Sequence, residues 1–224
     1  MLVAAGGVAA SAGSPVAASA GKCGGGHTRT LVENIHVRVY SSPSSAAGER
    51  KFFVVACAKE TGKRISLDVP EENDYAFLPP AIGLSGSVVG HAEESYCGVQ
   101  GDCLTGVQAH DMRFAGTRRD LLNGGPAGPP GHRLVKVGSL RVTRSGALIW
   151  ITCPESARRA GIRGSQKPNC IRAGAKDRVY TYRTRTSPLK RLDRGRSIDP
   201  SSLRLHGNRA SWKHGGKRRH ATLP

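Results

Sequence analysis

The sequence predicts an all-β protein of repeated antiparallel sheets, and three observations carry that prediction. First, one pattern occurs twice. Ser139-Leu140-Arg141-Val142 is followed past a Gly turn by Ala147-Leu148-Ile149-Trp150, and Ser202-Leu203-Arg204-Leu205 is followed past Gly207-Asn208 by Arg209-Ala210-Ser211-Trp212. Each copy reads as an alternating strand, a tight turn and a second strand carrying Trp, and the copies lie about 60 residues apart, near the spacing of sheet-per-repeat architectures. Second, the hydrophobic period is two along most of the chain. Third, 29 Gly and 13 Pro among 224 residues break the chain too often for long helices.

The elements follow in order. Residues 21–34 are a Gly-rich approach segment. Ile35 to Tyr40 alternates and reads as a strand. Arg50 to Ala58 holds a continuous apolar run, which predicts burial on both faces. Glu60-Thr61-Gly62-Lys63 is a hairpin turn, and Arg64 to Asp68 alternates again. The second unit has strands at 81–84, 87–92, 104–113 and 117–122, followed by a linker at 124–131. The third has strands at 134–144 and 147–153, a basic loop at 154–175, and strands at 178–183 and 189–192. The last has strands at 202–206, 209–213 and 218–223. Two units are thus four-stranded and the units at either end supply about three strands each. An incomplete sheet at each end is what a ring closed by mixing chain termini requires, and closure removes exposed edges.

The composition bounds the partners. With 34 Lys and Arg against 16 Asp and Glu, the net charge is +18 and the isoelectric point is near 10.4. Such a surface attracts polyanions. A coding bias toward Arg, which greatly outnumbers Lys, is the plain alternative. Thirteen Lys or Arg lie between Arg158 and Arg196, including Arg158, Arg159, Arg163 and Lys167, and no acidic residue follows Asp199. Lys213, Lys217, Arg218 and Arg219 form a second cationic cluster, with Trp212, Tyr180 and Tyr182 as candidate stacking surfaces. The opposing reading is a solvated edge strand whose charges block association.

Residues 1–20 are almost wholly Ala, Gly, Ser and Val, and Ala18-Ser19-Ala20 fits a signal-peptidase site. They are expected to be a truncated signal peptide or a disordered leader, which leaves 35–224 as the β domain of a secreted or extracytoplasmic protein. No stretch is long and apolar enough to predict a transmembrane helix. An even count of six Cys agrees with an oxidising compartment. Cys97 and Cys103 bracket one loop and Cys153 and Cys170 another, at equivalent points of adjacent units. Local pairing would leave Cys23 with Cys57, the alternative being a free buried thiol at Cys57.

No catalytic, cofactor or metal motif stands out. His110-Asp111 lacks the further ligands of a phosphohydrolase centre, and Cys97, Cys103 and His110 do not have zinc spacing. Gly83-Leu84-Ser85-Gly86-Ser87 sits in a hairpin and not in a strand-to-helix elbow. Glu71-Glu72 and Glu93-Glu94 point to opposite faces if extended.

The succession of strand, Gly turn, apolar-x-Trp, loop, Val-x-x-Tyr/His and Thr-Gly-x-x-x-x-Leu resembles the blade pattern of TolB-type and WD-like β-propellers. It is similar, more narrowly, to uncharacterised secreted bacterial proteins with few such repeats. The resemblance covers most of residues 35–223 and implies three to four blades, the structural alternative being a β-sandwich built from the same hairpins. It also implies ligands at the loop-lined ends of the ring, where loops 97–103 and 154–175 fall. The expected function is a non-enzymatic binding module whose partner is a protein or an anionic polymer, nucleic acid being less favoured. The alternatives are a cell-surface polyanion binder and a hydrolase or lyase with a site assembled across blades.

Closing a loop of about 15 residues with a disulfide stabilises by roughly 3 kcal/mol in the chain-entropy model. A non-reducing peptide map is therefore expected to recover Cys97 with Cys103 and Cys153 with Cys170. Recovery of Cys153 with any other cysteine would overturn the local pairing.

Overall fold

A computed structural model describes residues 22–25, 27–44, 51–67, 81–97, 103–117, 119, 121–128, 135–154, 177–182 and 189–223. These form four antiparallel sheets, each a meander in chain order. The first holds β1 (Arg29–Glu33), β2 (Val37–Ser44), β3 (Lys51–Ala58) and β4 (Arg64–Ser66). The second holds β5 (Ile82–Ser85), β6 (Val88–Cys97), β7 (Cys103–Asp111) and β8 (Leu121–Pro126). The third holds β9 (Val135–Val142), β10 (Leu148–Pro154), β11 (Asp177–Tyr182) and β12 (Lys190–Gly195). The fourth holds β13 (Ile198–His206), β14 (Arg209–His214) and β15 (Lys217–Thr222). Four separate sheets stand where a sandwich has two.

Each sheet buries a face on the next. Val37, Val39, Val54 and Ala56 meet Val89 and Met112 between the first and second sheets. The opposite face of the second sheet, with Val88, Ala92, Val107 and Ala109, meets Leu140, Leu148, Trp150 and Tyr180 of the third. The far face of the third, with Ala147, Ile149, Ile151 and Val179, meets Leu203, Ala210, Trp212 and Leu223 of the fourth. Ala147 to Ile151 is therefore buried at every position, because a strand between two cores has no polar face. Trp150 and Tyr182 have ring centroids 5.3 Å apart, and the Trp150 indole Nε1 donates to the Ala127 carbonyl at 2.9 Å. Trp150 and Trp212, the repeated residues, each face the preceding sheet.

Two glycines set the spacing. A Cβ on Gly90 would lie 2.9 Å from both Leu140 Cδ2 and Leu148 Cδ2. Gly146 has φ +84°, and a Cβ there would stand 2.8 Å from the Leu122 Cβ. The β9–β10 turn thus needs Gly for its backbone and again for its neighbour.

The structure departs from the sequence reading in four places. The first sheet has four strands, since β1 occupies the segment read as an approach. The strand expected from Ile35 begins only at Val37, because the Asn34 Oδ1 accepts the His36 and Val37 amides at 2.8 Å each and makes a turn. Incompleteness is therefore confined to the fourth sheet. The fourth strand of the second unit is not 117–122 but β8, which runs into the Gly-Gly-Pro segment taken for a linker. Gly125 there lies against the Tyr182 phenol, where an added Cβ would stand 3.0 Å from the hydroxyl oxygen. The β7 strand ends at Asp111 in a 3-10 turn at Met112–Phe114, with the Asp111 side chain accepting from the Arg113 amide.

The expected burial of both faces of β3 holds, and so does the pairing of Cys57. On the side away from the second sheet, Val55 and Cys57 pack with Tyr40 and Cys23. A Cys23–Cys57 disulfide with Cα atoms 5.6 Å apart joins that segment to β3. Cys97 and Cys103 are register partners across β6 and β7. Cys153 lies near the end of β10 opposite Lys136, and Cys170 lies outside the described residues.

Gly90→Ala is expected to lower unfolding stability by about 1–3 kcal/mol through overpacking. Gly25→Ala, where an added Cβ meets nothing within 4 Å, should be close to neutral. Equal denaturant midpoints for the two variants would contradict the close approach of the second and third sheets.

Candidate functional site

The fourth sheet buries one face on the third and presents the other to solvent. Register places nine residues on that outward face. Asp199, Lys213 and Arg218 form one row across β13, β14 and β15. Arg204, Ser211 and His220 form the second, and His206, Arg209 and Thr222 the third. Arg204, Arg209, Lys213 and Arg218 are all exposed. Ser211 is buried at the centre and accepts from the Arg218 guanidinium at 3.3 Å. Asp199 is the one carboxylate, and its Oδ1 is occupied by the Ser201 amide and hydroxyl. Arg209 and Lys213 stand about 14 Å apart along one strand at 3.4 Å per residue. The result is a cationic plate carried on paired backbone rather than on a loop.

This plate only partly matches the cluster expected from the sequence. Lys213 and Arg218 belong to it. Lys217 and Arg219 pair with His214 and Trp212, so alternation sends them to the other side of β15, where they are exposed at the sheet edge. Arg204 and Arg209 join by register alone. Arg158, Arg159, Arg163 and Lys167 lie outside the described residues, as do Glu71-Glu72 and the loop residues 98–102 and 155–176. Tyr180 and Tyr182 are buried around Trp150, and Trp212 is buried against the third sheet. The stacking role offered for these three is therefore excluded, because a core ring has no face open to a ligand.

Two polar constellations were not legible in the sequence. In the first, Asp193 on β12 accepts from the Trp212 Nε1 at 2.7 Å and from the His214 Nδ1 at 3.0 Å. Burial alone would raise this carboxyl, but bonds from Trp212, the Arg194 amide and His214 hold it below its ordinary range. The ring of His214 lies against Gly195, where an added Cβ would come within 2.1 Å of Nε2. An imidazole held on the carboxylate of a neighbouring sheet ties the fourth sheet to the third.

In the second, His91 of β6 and His110 of β7 stack at 5.5 Å on the face toward the first sheet. The His91 Nδ1 is buried without a hydrogen-bond partner. Burial, with His110 beside it, pushes the His91 pKa down to about 3. Asp177, at the start of β11, is also buried with its Oδ1 unpartnered, and burial raises its pKa to about 6.

Among the described residues, no group of three or more His, Cys, Asp or Glu is placed to hold a metal ion. No described helix is long and apolar enough to cross a membrane. Compared with protein-family models the chain matches none, and no curated protein is significantly similar to it.

The buried groups give opposite pH dependences. The unfolded chain takes a proton at His91 near 6.5 that the folded chain refuses until about 3, so stability falls as pH drops through that window. Asp177 ionises near 3.8 when unfolded but near 6 when folded, so its cost to stability builds as pH rises from about 4 to 6, is complete above pH 6 and vanishes once it is protonated in both states. His91→Leu is expected to flatten the acid-side loss, and Asp177→Asn to raise stability progressively from about pH 4, reaching its full effect above pH 6. Denaturant midpoints measured against pH check both, and parallel profiles for wild type and variants would refute the assignment.

Proposed function

We propose that this chain is an extracytoplasmic, non-enzymatic interaction module whose sheets are arranged as propeller-like blades and whose ligand is an anionic cell-surface polymer. The observation that carries the reading is the outward face of β13–β15, where Arg204, Arg209, Lys213 and Arg218 are exposed on one flat surface with a single, already occupied carboxylate. A rigid array of cations gains from every neutralised anionic group by releasing counterions. The blade-like reading is supported by the meander order of each sheet and by β5 lying against β9, with a Cβ on Gly83 only 3.1 Å from the Arg141 Cα. An extracytoplasmic location is supported by the Cys23–Cys57 disulfide, a bond that persists in oxidising compartments.

The test is equilibrium binding of the full chain to heparin across a range of salt. The logarithm of affinity should fall steeply with the logarithm of salt concentration. Combined Arg209→Ser, Lys213→Ser and Arg218→Ser should reduce that slope by about two to three, near one for each ion contact removed. Lys217→Ser with Arg219→Ser, on the other parity, should reduce it less. An unchanged slope in the triple variant would make the plate a solvated surface and end the proposal.

A further inference from the structure

The turns of the first three sheets gather at one end around a cleft of about 400 Å³, which is metabolite-sized. It lies apart from the cationic plate, and each sheet supplies part of its wall. Ile35 comes from the β1–β2 turn, Glu60 and Thr61 from the β3–β4 turn, Met112 and Arg113 from the end of β7, and Arg144 from the β9–β10 turn.

The two arginines are held differently. The buried Asp111 carboxylate accepts from the Arg113 Nε and Nη2, from the Arg113 amide and from the Ser87 hydroxyl. This fixes the Arg113 guanidinium and consumes its charge, while its side chain remains 68% exposed. Arg144 is exposed and has no carboxylate partner among the described residues. Its stem lies on Gly86, where an added Cβ would be 3.6 Å from the Arg144 Cγ and Nε. The wall therefore offers one uncompensated positive charge beside a second, preset guanidinium.

Facing these groups is apolar surface held in water. Ile35 is 83% exposed, and it is not on a slack loop. The preceding Asn34 accepts from two amides of its own turn and donates its Nδ2 to the Gly86 carbonyl of the second sheet at 2.9 Å. Met112 beneath belongs to the core between the first and second sheets. Glu60 on the rim disfavours a ligand of high negative charge. A fixed, exposed aliphatic side chain beside a cation with no carboxylate partner among the described residues suits an anion with an apolar tail.

We propose that this cleft binds a small aliphatic monocarboxylate, its carboxylate on Arg144 and Arg113 and its hydrocarbon against Ile35. The probe is octanoate, titrated into the full chain and followed by amide chemical shifts. Octanoate is expected to shift the amides of Ile35, Thr61, Gly86 and Arg144 saturably. Octylamine should not, and inorganic phosphate should bind at least tenfold more weakly. Arg144→Gln should weaken octanoate about tenfold, the worth of a charge-assisted hydrogen bond. Ile35→Ser should weaken it several-fold through lost apolar contact. Both substitutions sit on exposed turn positions, so unchanged melting temperatures would show the fold intact. The Arg209, Lys213 and Arg218 triple variant should bind octanoate as the wild type does. Absence of saturable shifts at these amides, equal response to octylamine or phosphate, indifference to Arg144→Gln, or loss of octanoate in the triple variant would each overturn the proposal.

Discussion

The second and third sheets are buried on both sides, and most of the remaining architecture answers to that condition. A strand with apolar residues on each face cannot be satisfied by one neighbour. Val88 and Val89 are adjacent in sequence yet belong to cores on opposite sides of one sheet. Leu148 and Ile149 repeat the arrangement in the next. Apolar burial contributes about 25 cal/mol per Å², so exposing either face of a middle sheet would forfeit a whole core. The close approaches at Gly83 and Gly90 follow from the same demand, because two packed sheets leave space for side chains from one side only where the other withdraws.

Polar groups are admitted at these seams mainly as bonded pairs. The Asn34 amide crosses from the first sheet to the second, and the Asn123 amide reaches the Gly146 carbonyl from the second to the third. The Tyr182 hydroxyl and Trp150 indole join the third sheet to the carbonyls of Pro126 and Ala127. Asp193 with Trp212 and His214 joins the third to the fourth. Each bond contributes only about 1 kcal/mol net. Their larger effect is on register, since a slide of one sheet past another would strand a buried donor. The Asn123 Oδ1, Ser139 Oγ and Arg178 Nε are buried without a partner, as are atoms of His91 and Asp177, whose displaced ionisation shows what an incompletely bonded buried group costs.

The sequence was most readable where one strand ran into the next through a Gly turn. The β9–β10 and β13–β14 hairpins were both visible as alternation plus Gly146 or Gly207, whereas Trp212, offered as a stacking surface, lies in the core. The β1 and β8 strands were hidden because a Gly-rich or polar stretch pairs as readily as a hydrophobic one at a sheet edge, where only backbone groups need partners. For the cationic plate, the basic residues were evident but their sorting was not. Lys217 and Arg218 are neighbours in sequence and face opposite ways, which becomes visible only with the register of β14 and β15. The cleft was not legible at all. Its residues come from turns of three sheets separated by more chain than any local pattern spans.

The Cys23–Cys57 bond has a meaning beyond its own linkage. Sheets that pack face on face define a stack with no intrinsic length, for the last sheet of one molecule has the shape to receive the first sheet of another. Head-to-tail association of that kind does not close, and it grows into fibres. Here the two terminal faces are made unlike anything that would pack on them. At one end the segment around Cys23 is fastened across the outer side of β3. At the other, like charges stand in rows that would meet desolvation and mutual repulsion in any apolar contact. Terminal repeats of stacked architectures need such polar or covered outer faces to remain finite. Reduction of a single disulfide would thus do more than loosen one strand, because it would release the Cys23 segment from the outer side of β3, a face on which such a stack could begin to lengthen.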